Sequence, residues 1–439
     1  MRPVIPPVIV IPGMTASVLH DEYELPPETV WASVLPRRFE RITLHPEKQV
    51  YEFREPARVA PGGPFPLVYE DLIEELRDGL SDEQSAPVPV FPFGYDWRLR
   101  LELTEDRLAE FVSEVIERTL LLRHYRKDPD FVDRPRVNLV GHSMGGLIIA
   151  GYIRRHADAS VNKVVTLASP FRGSYEAILK VATGTGDFGD DSGKARERRM
   201  ARMTPALYYL LPSFRDSLSV EKGMTSDIFS PRAWQPSVKR SIAAQVKGWN
   251  VTGARLFRLM LDAAREHRAG ISGLRLRDGG APGTGGLRKE DWLAIVGVDA
   301  ETRVGLRVRR DADGRPRFDL RSDERRNDWG SADPRERRRT GDGTVPLRGA
   351  IPPFLDENRL VCVTPHDFGY WELRDRALSE LAGFHGHLPT MNMVHRLITR
   401  FLSDGPDPYG STWGRSMPGV GREGADPWNP PLDLAERDA

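Results

Sequence analysis

In "VNLVGHSMGGLIIAGYI", Val137 to Ile153, a serine stands between a histidine and a methionine, with a glycine outside each. Val137 to Val140 is a short apolar run that suits a buried strand, and Leu147 to Ile153 continues as a helix. Gly141-His142-Ser143-Met144-Gly145 therefore reads as G-x-S-x-G at a strand-to-helix turn. A serine there must occupy a strained backbone conformation, so that its hydroxyl projects above the sheet. Side chains two residues to either side would strike the neighbouring strand and helix, which accounts for Gly141 and Gly145. The helix starts at once, and its free N–H groups and positive dipole end face the serine. The pentapeptide alone is a weak signal. With the strand before it and the helix after it, Ser143 is expected to be a nucleophile and the Met144 N–H an oxyanion donor.

A serine hydroxyl needs a base, and the base needs an orienting acid. At such a turn the chain order is Ser, then Asp or Glu, then His. "RTGDGTVPL" offers Asp342, whose flanking glycines allow a tight loop that aims the carboxylate. Alone it would be an ordinary Asp-Gly turn. Following Ser143 in this order, it is read as the acid. Three histidines then qualify by position: His366 in "TPHDF", and His385 and His387 in "FHGHLP". His385 is chosen, with His366 and His387 as alternatives. His395 falls inside the last helical stretch and reads as a surface or packing residue. A second oxyanion donor is expected on the loop after an early strand, and "VIVIPGMTASVL" supplies one. Gly13 lets the backbone approach, and the Met14 N–H donates.

The chain of 439 residues is long enough for a large core with insertions. Its formal net charge is zero, so no bulk field favours nucleic acid or anionic membrane. The lone cysteine, Cys362, lies in the strand-like "RLVCVT" and reads as a buried thiol. The opening "MRPVIPPVIVIPG" shows neither a secretory h-region nor a bilayer-spanning run, so a cytoplasmic location is expected. Strand-like runs at Val8–Ile11, Val137–Val140 and Val161–Ala168 alternate with helical ones, among them Thr104–Leu120 with Thr104 as N-cap. This texture predicts an α/β fold, a mostly parallel sheet with helices on both faces. It lapses from about Gly184 to Arg339 and returns with "RLVCVT" and "NMVHRLITRFL". The expected organisation is a core over 1–183, a cap or lid insertion over 184–339, the rest of the core over 340–403, and a Pro- and Gly-rich tail over 404–439. "GTGDFG" (Gly184 to Gly189) matches G-x-G-x-x-G but follows a helical run, so no dinucleotide site is expected, and no other cofactor or metal.

"IPGMTASVL", "FGYDWRL", "LVGHSMGG", "TLASPFRGS", "ALYYLLPSF" and "GDGTVPL" together resemble, in this order, the lecithin:cholesterol acyltransferase family, which includes phospholipid:diacylglycerol acyltransferases and a lysosomal phospholipase A. "YDWR" with "GDGTVP" is more specific than the serine turn, which all α/β-hydrolases share. The resemblance implies an α/β-hydrolase fold, with Ser143, Asp342 and His385 as triad and Met14 on the oxyanion loop. It puts Tyr95, Asp96, Trp97 and Arg98 beside the active-site wall as structural support. The expected function is a serine hydrolase of the lipase or esterase type, acting on lipid-like esters. An O-acyltransferase on the same chemistry is the alternative, and a non-catalytic binding protein of the same fold is a third reading. The expected partner is a lipid or other ester substrate, with transient membrane-surface contact through the lid and no nucleic acid.

Overall fold

The computed structural model describes residues 4–32, 39–48, 52, 57–81, 86–156, 160–184, 191–278, 286–404, 412 and 414–420. Six strands form the central sheet: β1 (Val8–Ile11), β2 (Val90–Pro92), β3 (Val137–His142), β4 (Val161–Leu167), β5 (Trp292–Gly297) and β6 (Leu360–Val363). They lie in the order β6-β5-β4-β3-β1-β2, and every neighbouring pair is parallel. A parallel sheet is covered on both faces, so its strands read as unbroken apolar runs such as "VIVI" and "LVCV". Successive side chains point to opposite faces. Ile9 and Ile11 accordingly join one apolar cluster, and Val8 and Val10 the other.

Helices α2 (Leu101–Thr119) and α3 (Met144–Arg155) cover the first face. Helices α1 (Pro66–Leu80) and α5 (Asn392–Ser403) cover the second. Helix α2 starts one turn earlier than expected, and Thr104 lies inside it rather than capping it. Leu101 is fully buried and extends the stripe of Leu108, Val112 and Val115, so packing outweighs the capping signal.

The segment expected as an insertion, 184–339, departs from that description in one respect. Its "WLAIVG" is β5, fully buried and hydrogen-bonded between β4 and β6. Charged neighbours hide this strand in the sequence, because a run of six apolar residues is short. Before β5 come helical stretches, the longest being α4 (Gly253–Ser272). After it comes an antiparallel ribbon, Thr302–Arg310 with Pro316–Arg326. A separate antiparallel sheet, Ser17–Asp21 with Glu28–Trp31 and Val59–Pro64, flanks the end of β1. Most of "GTGDFG" and most of the tail lie outside the described residues. No helix among the described residues is long and apolar enough to cross a membrane.

Candidate active site

Strand β3 ends at His142 and α3 begins at Met144, so Ser143 is the whole turn. Its φ of 53° and ψ of −120° are a conformation costing about 1–3 kcal/mol in a residue with a side chain. The surroundings over-determine it. The Ser143 N–H donates to the Leu167 carbonyl (2.8 Å), and the Gly146 N–H donates to the Ser143 carbonyl (3.2 Å). A Cβ at Gly141 would lie 2.6 Å from Ile149 Cδ1, and one at Gly145 would run into the Ile11 carbonyl oxygen. Gly146 is a third constraint, since a Cβ there would run into Ser169.

His385 lies on a one-turn helix, Phe384–His387, after β6. Its Nε2 is 2.9 Å from Ser143 Oγ, and its Nδ1 is 2.7 Å from Asp342 Oδ2. A carboxylate only accepts, so Nδ1 carries the proton and Nε2 is left to accept from the serine hydroxyl. Asp342 is buried, and its other oxygen accepts from the N–H groups of Thr344 (2.9 Å) and Val345 (2.6 Å). Gly297, the last residue of β5, makes room for it: a Cβ there would sit 2.5 Å from Asp342 Cβ. Neither alternative histidine is placed this way. His387 Nδ1 is 3.1 Å from the Gly383 carbonyl, and exposed His366 stands 3.8 Å from Asp299.

The sequence reading passed over His142 and Tyr69. His142 is buried beside His385, and burial, with the nearby His385 ring second, holds its pKa well below the usual value. The ring is thus neutral and carries one proton. Nε2 is 3.0 Å from the His385 carbonyl, which can only accept, so Nε2–H is the donor. Nδ1 then accepts from the Tyr69 hydroxyl (2.7 Å), which itself accepts from the Gly13 N–H (2.9 Å). One chain of hydrogen bonds joins the Gly13 loop, α1, the serine turn and the backbone of the base. No local pattern links residues 69 and 142, although a polar ring inside a fully buried strand was a signal for His142.

The Gly13 loop is pinned at three points. Tyr95 donates to the Pro12 carbonyl (2.8 Å), Gly13 donates to Tyr69, and Trp31 Nε1 donates to the Thr15 carbonyl (2.8 Å). With the Gly13 N–H engaged, the next N–H is that of Met14, which lines the cavity in front of Ser143. Met144 is the first residue of α3, where N–H groups have no acceptor within the helix. The cavity has a volume of about 250 Å³ and also touches His385. Trp31, Phe39 and Trp97 form an aromatic wall, and Glu176, Lys180 and Glu197 bring charge to it.

Residues 67–268 match the family model of lecithin:cholesterol acyltransferase. That match spans a little under half of the chain. Lecithin-cholesterol acyltransferase-like 4 of Arabidopsis thaliana is 22% identical over 201 residues, which are 38% of this chain and 34% of that protein. GPI inositol-deacylase of Aspergillus oryzae is 32% identical over 109 residues, 23% of this chain and 10% of that protein. The chain thus matches about a third of the length of one relative and a tenth of the other. A chain from the crystal structure of the Tle4–Tli4 complex superposes with a TM-score of 0.55 at 14% identity, covering 79% of this chain and 89% of that one. This likeness concerns the fold, which is the α/β-hydrolase fold expected from the sequence.

Within the matched region, "YDWR" is a brace. Asp96 takes Arg98 with both oxygens, at 2.8 Å to Nε and 2.7 Å to Nη2. The fully buried guanidinium also reaches Glu52 (2.9 Å) and the Ile42 carbonyl (3.0 Å). Trp97 packs on Trp31, with ring centres 5.0 Å apart. Also in the matched region, "MTPALYYLLPSF" divides its apolar residues. Leu207 and Leu210 line the cavity, while Tyr208 packs against Trp234 and Tyr209 against His267. Gly13, Asp342 and His385 fall outside the matched region.

Proposed function

We propose that the protein is a serine-dependent lipid-ester hydrolase that works through an acyl-enzyme. The observation that carries this reading is the continuous contact from Ser143 Oγ through the His385 ring to the buried Asp342 carboxylate. His385 Nε2 takes the serine proton as Oγ attacks the ester carbonyl, and Asp342 stabilises the imidazolium. The Met14 and Met144 N–H groups hold the oxyanion; a donor of this kind is worth about 3–4 kcal/mol. The leaving alkoxide takes the proton back from His385. Water then repeats the sequence on the acyl-enzyme. The names of the matched family and of the deacylase relative support an ester as substrate. The family's name also supports a second reading, in which an alcohol replaces water as acceptor.

A cavity of about 250 Å³ lies below the roughly 300–1,000 Å³ of common ligand pockets. Short acyl groups fit as it stands, and longer ones require the helices before β5 to move as a lid. Transient contact of that lid with a membrane surface, and a cytoplasmic location, belong to the same proposal.

The test is intact mass after treatment with a serine-reactive phosphonate. One adduct on the parent protein and none on Ser143→Ala is expected. An ester panel should then show Asp342→Asn reduced about 10⁴-fold in kcat. Ester product formed on adding an alcohol would favour the transferase reading. No adduct on folded parent protein, with or without detergent, would sink both readings in favour of a binding protein.

A further inference from the structure

The helix Asp191–Arg202 turns Glu197, Met200 and Ala201 towards the cavity in front of Ser143. These positions share one face of a helix. Glu197 is 3% exposed. One of its oxygens meets Lys180 Nζ at 3.1 Å, and the other, Oε2, is buried with no hydrogen-bond partner. Leaving a carboxylate oxygen in that condition is costly, so its retention in a residue that lines the cavity needs a reason. The position is firmly held. Arg202 donates to the Val181 (2.9 Å) and Ala182 (3.1 Å) carbonyls, and Arg198 to that of Thr183 (3.0 Å). The helix carrying Glu197 is thereby tied to Tyr175–Ala182, the helix that carries Glu176 and Lys180.

Resting on the esterase reading above, we propose that Glu197 and Lys180 form a subsite for a hydroxyl on the alcohol arm of the ester, so that the preferred substrates are esters of a polyol such as glycerol. The charges select this chemistry. Glu176 is matched by Arg303, and Glu197 by Lys180, so the wall is neutral in sum. A cationic head group would meet Lys180, and an anionic one would meet Glu197 and Glu176. A hydroxyl satisfies both: it donates to the carboxylate and accepts from the ammonium. The acyl chain then takes the aromatic wall of Trp31, Phe39 and Trp97, which has nothing to offer a polyol beyond ring edges and one indole N–H.

The experiment compares kcat/KM of the full chain on 1-monobutyrylglycerol and on propyl butanoate, which differ only by two hydroxyls. The parent protein should favour the glycerol ester by about tenfold or more, as for a hydrogen bond to a charged group. Glu197→Leu should bring the ratio to near unity through a raised KM for the glycerol ester. Glu197→Gln, which keeps the shape and an acceptor, should retain part of the preference, and Lys180→Met should also lower it. The two conservative variants decide the matter if Glu197→Leu does not fold. Equal turnover of both esters by the parent, or a preference untouched by all three variants, overturns the subsite while leaving the triad standing. Failure of the parent on both esters, with no phosphonate adduct, overturns the esterase reading and the subsite with it.

Discussion

The serine turn and the helices that stand before β5 are held by opposite means. At the turn, main chain meets main chain. Gly141, Gly145 and Gly146 have no room for a Cβ, and Ser143 is pinned through its own N–H and carbonyl. In the helical region, arginines do the joining. Buried Arg268 of α4 donates to the Tyr209 carbonyl (2.6 Å), to Ser213 Oγ (2.8 Å) and, more distantly, to the Leu211 carbonyl (3.3 Å). Burial, with Arg172 nearby, brings its pKa down to about 9. Arg202 plays the same part between two shorter helices. Backbone contact leaves no slack, so the turn is one conformation. Long side chains reaching carbonyls can exchange partners, so the second region can shift while keeping its contacts satisfied.

If this contrast holds, changes at the turn should act on rate, and changes in the helical region on stability. Among changes that press on the turn from outside the triad, the largest effect is expected at Gly13→Ala. A methyl there would lie 3.0 Å from Ser143 Cβ and 3.5 Å from Ser143 Oγ. A displacement of a few tenths of an ångström at the nucleophile should lower kcat by about 10–100-fold, with little change in the urea midpoint. Steady-state kinetics and equilibrium unfolding, run on the same preparation, check both halves. Arg268→Met should do the reverse. It leaves carbonyls without a donor and should cost about 1–3 kcal/mol in urea unfolding, while kcat on a short ester stays within about threefold. A large loss of rate there would break the contrast.

The smallest effect concerns pH. His142 stays neutral in the native state because burial, then the His385 and His387 rings, disfavour its charge. The unfolded chain binds a proton at this histidine below about pH 6.5. There the unfolded state holds more protons, so stability falls as pH drops, by at most about 1.4 kcal/mol per pH unit. His142→Gln should flatten the dependence of the unfolding midpoint between pH 7 and pH 5. His395, also buried with a lowered pKa, should keep some slope in both proteins.

How much was legible follows from the same contrast. The serine turn could be read because its constraint is local: a glycine at each end, a strand before and a helix after. Asp342 was open to reading through its flanking glycines. The base was not fixed by spacing, since His366, His385 and His387 all follow in the right order. Only the turn of Phe384–His387 towards Asp342 separates them. Strand β5 was hidden because charged residues crowd a short run. Glu197 sits in "KARERRMAR", which reads as a solvated face, yet packing buries Glu197, Met200, Ala201 and Arg202. Tyr69 and His142 meet across 73 residues, a distance at which no periodicity operates.

Cys362 lies in β6 with its sulfur 3.6 Å from that of Met417, and burial pushes its thiol up to about 12. At neutral pH it is protonated and out of reach of thiol reagents. Since it is the only cysteine in 439 residues, the native protein already offers a clean background for maleimide chemistry. A pair of cysteines placed on the exposed faces of α1 and α4 could carry a donor and an acceptor dye, and the spacing between core and covering helices could be followed during turnover without first removing a native thiol.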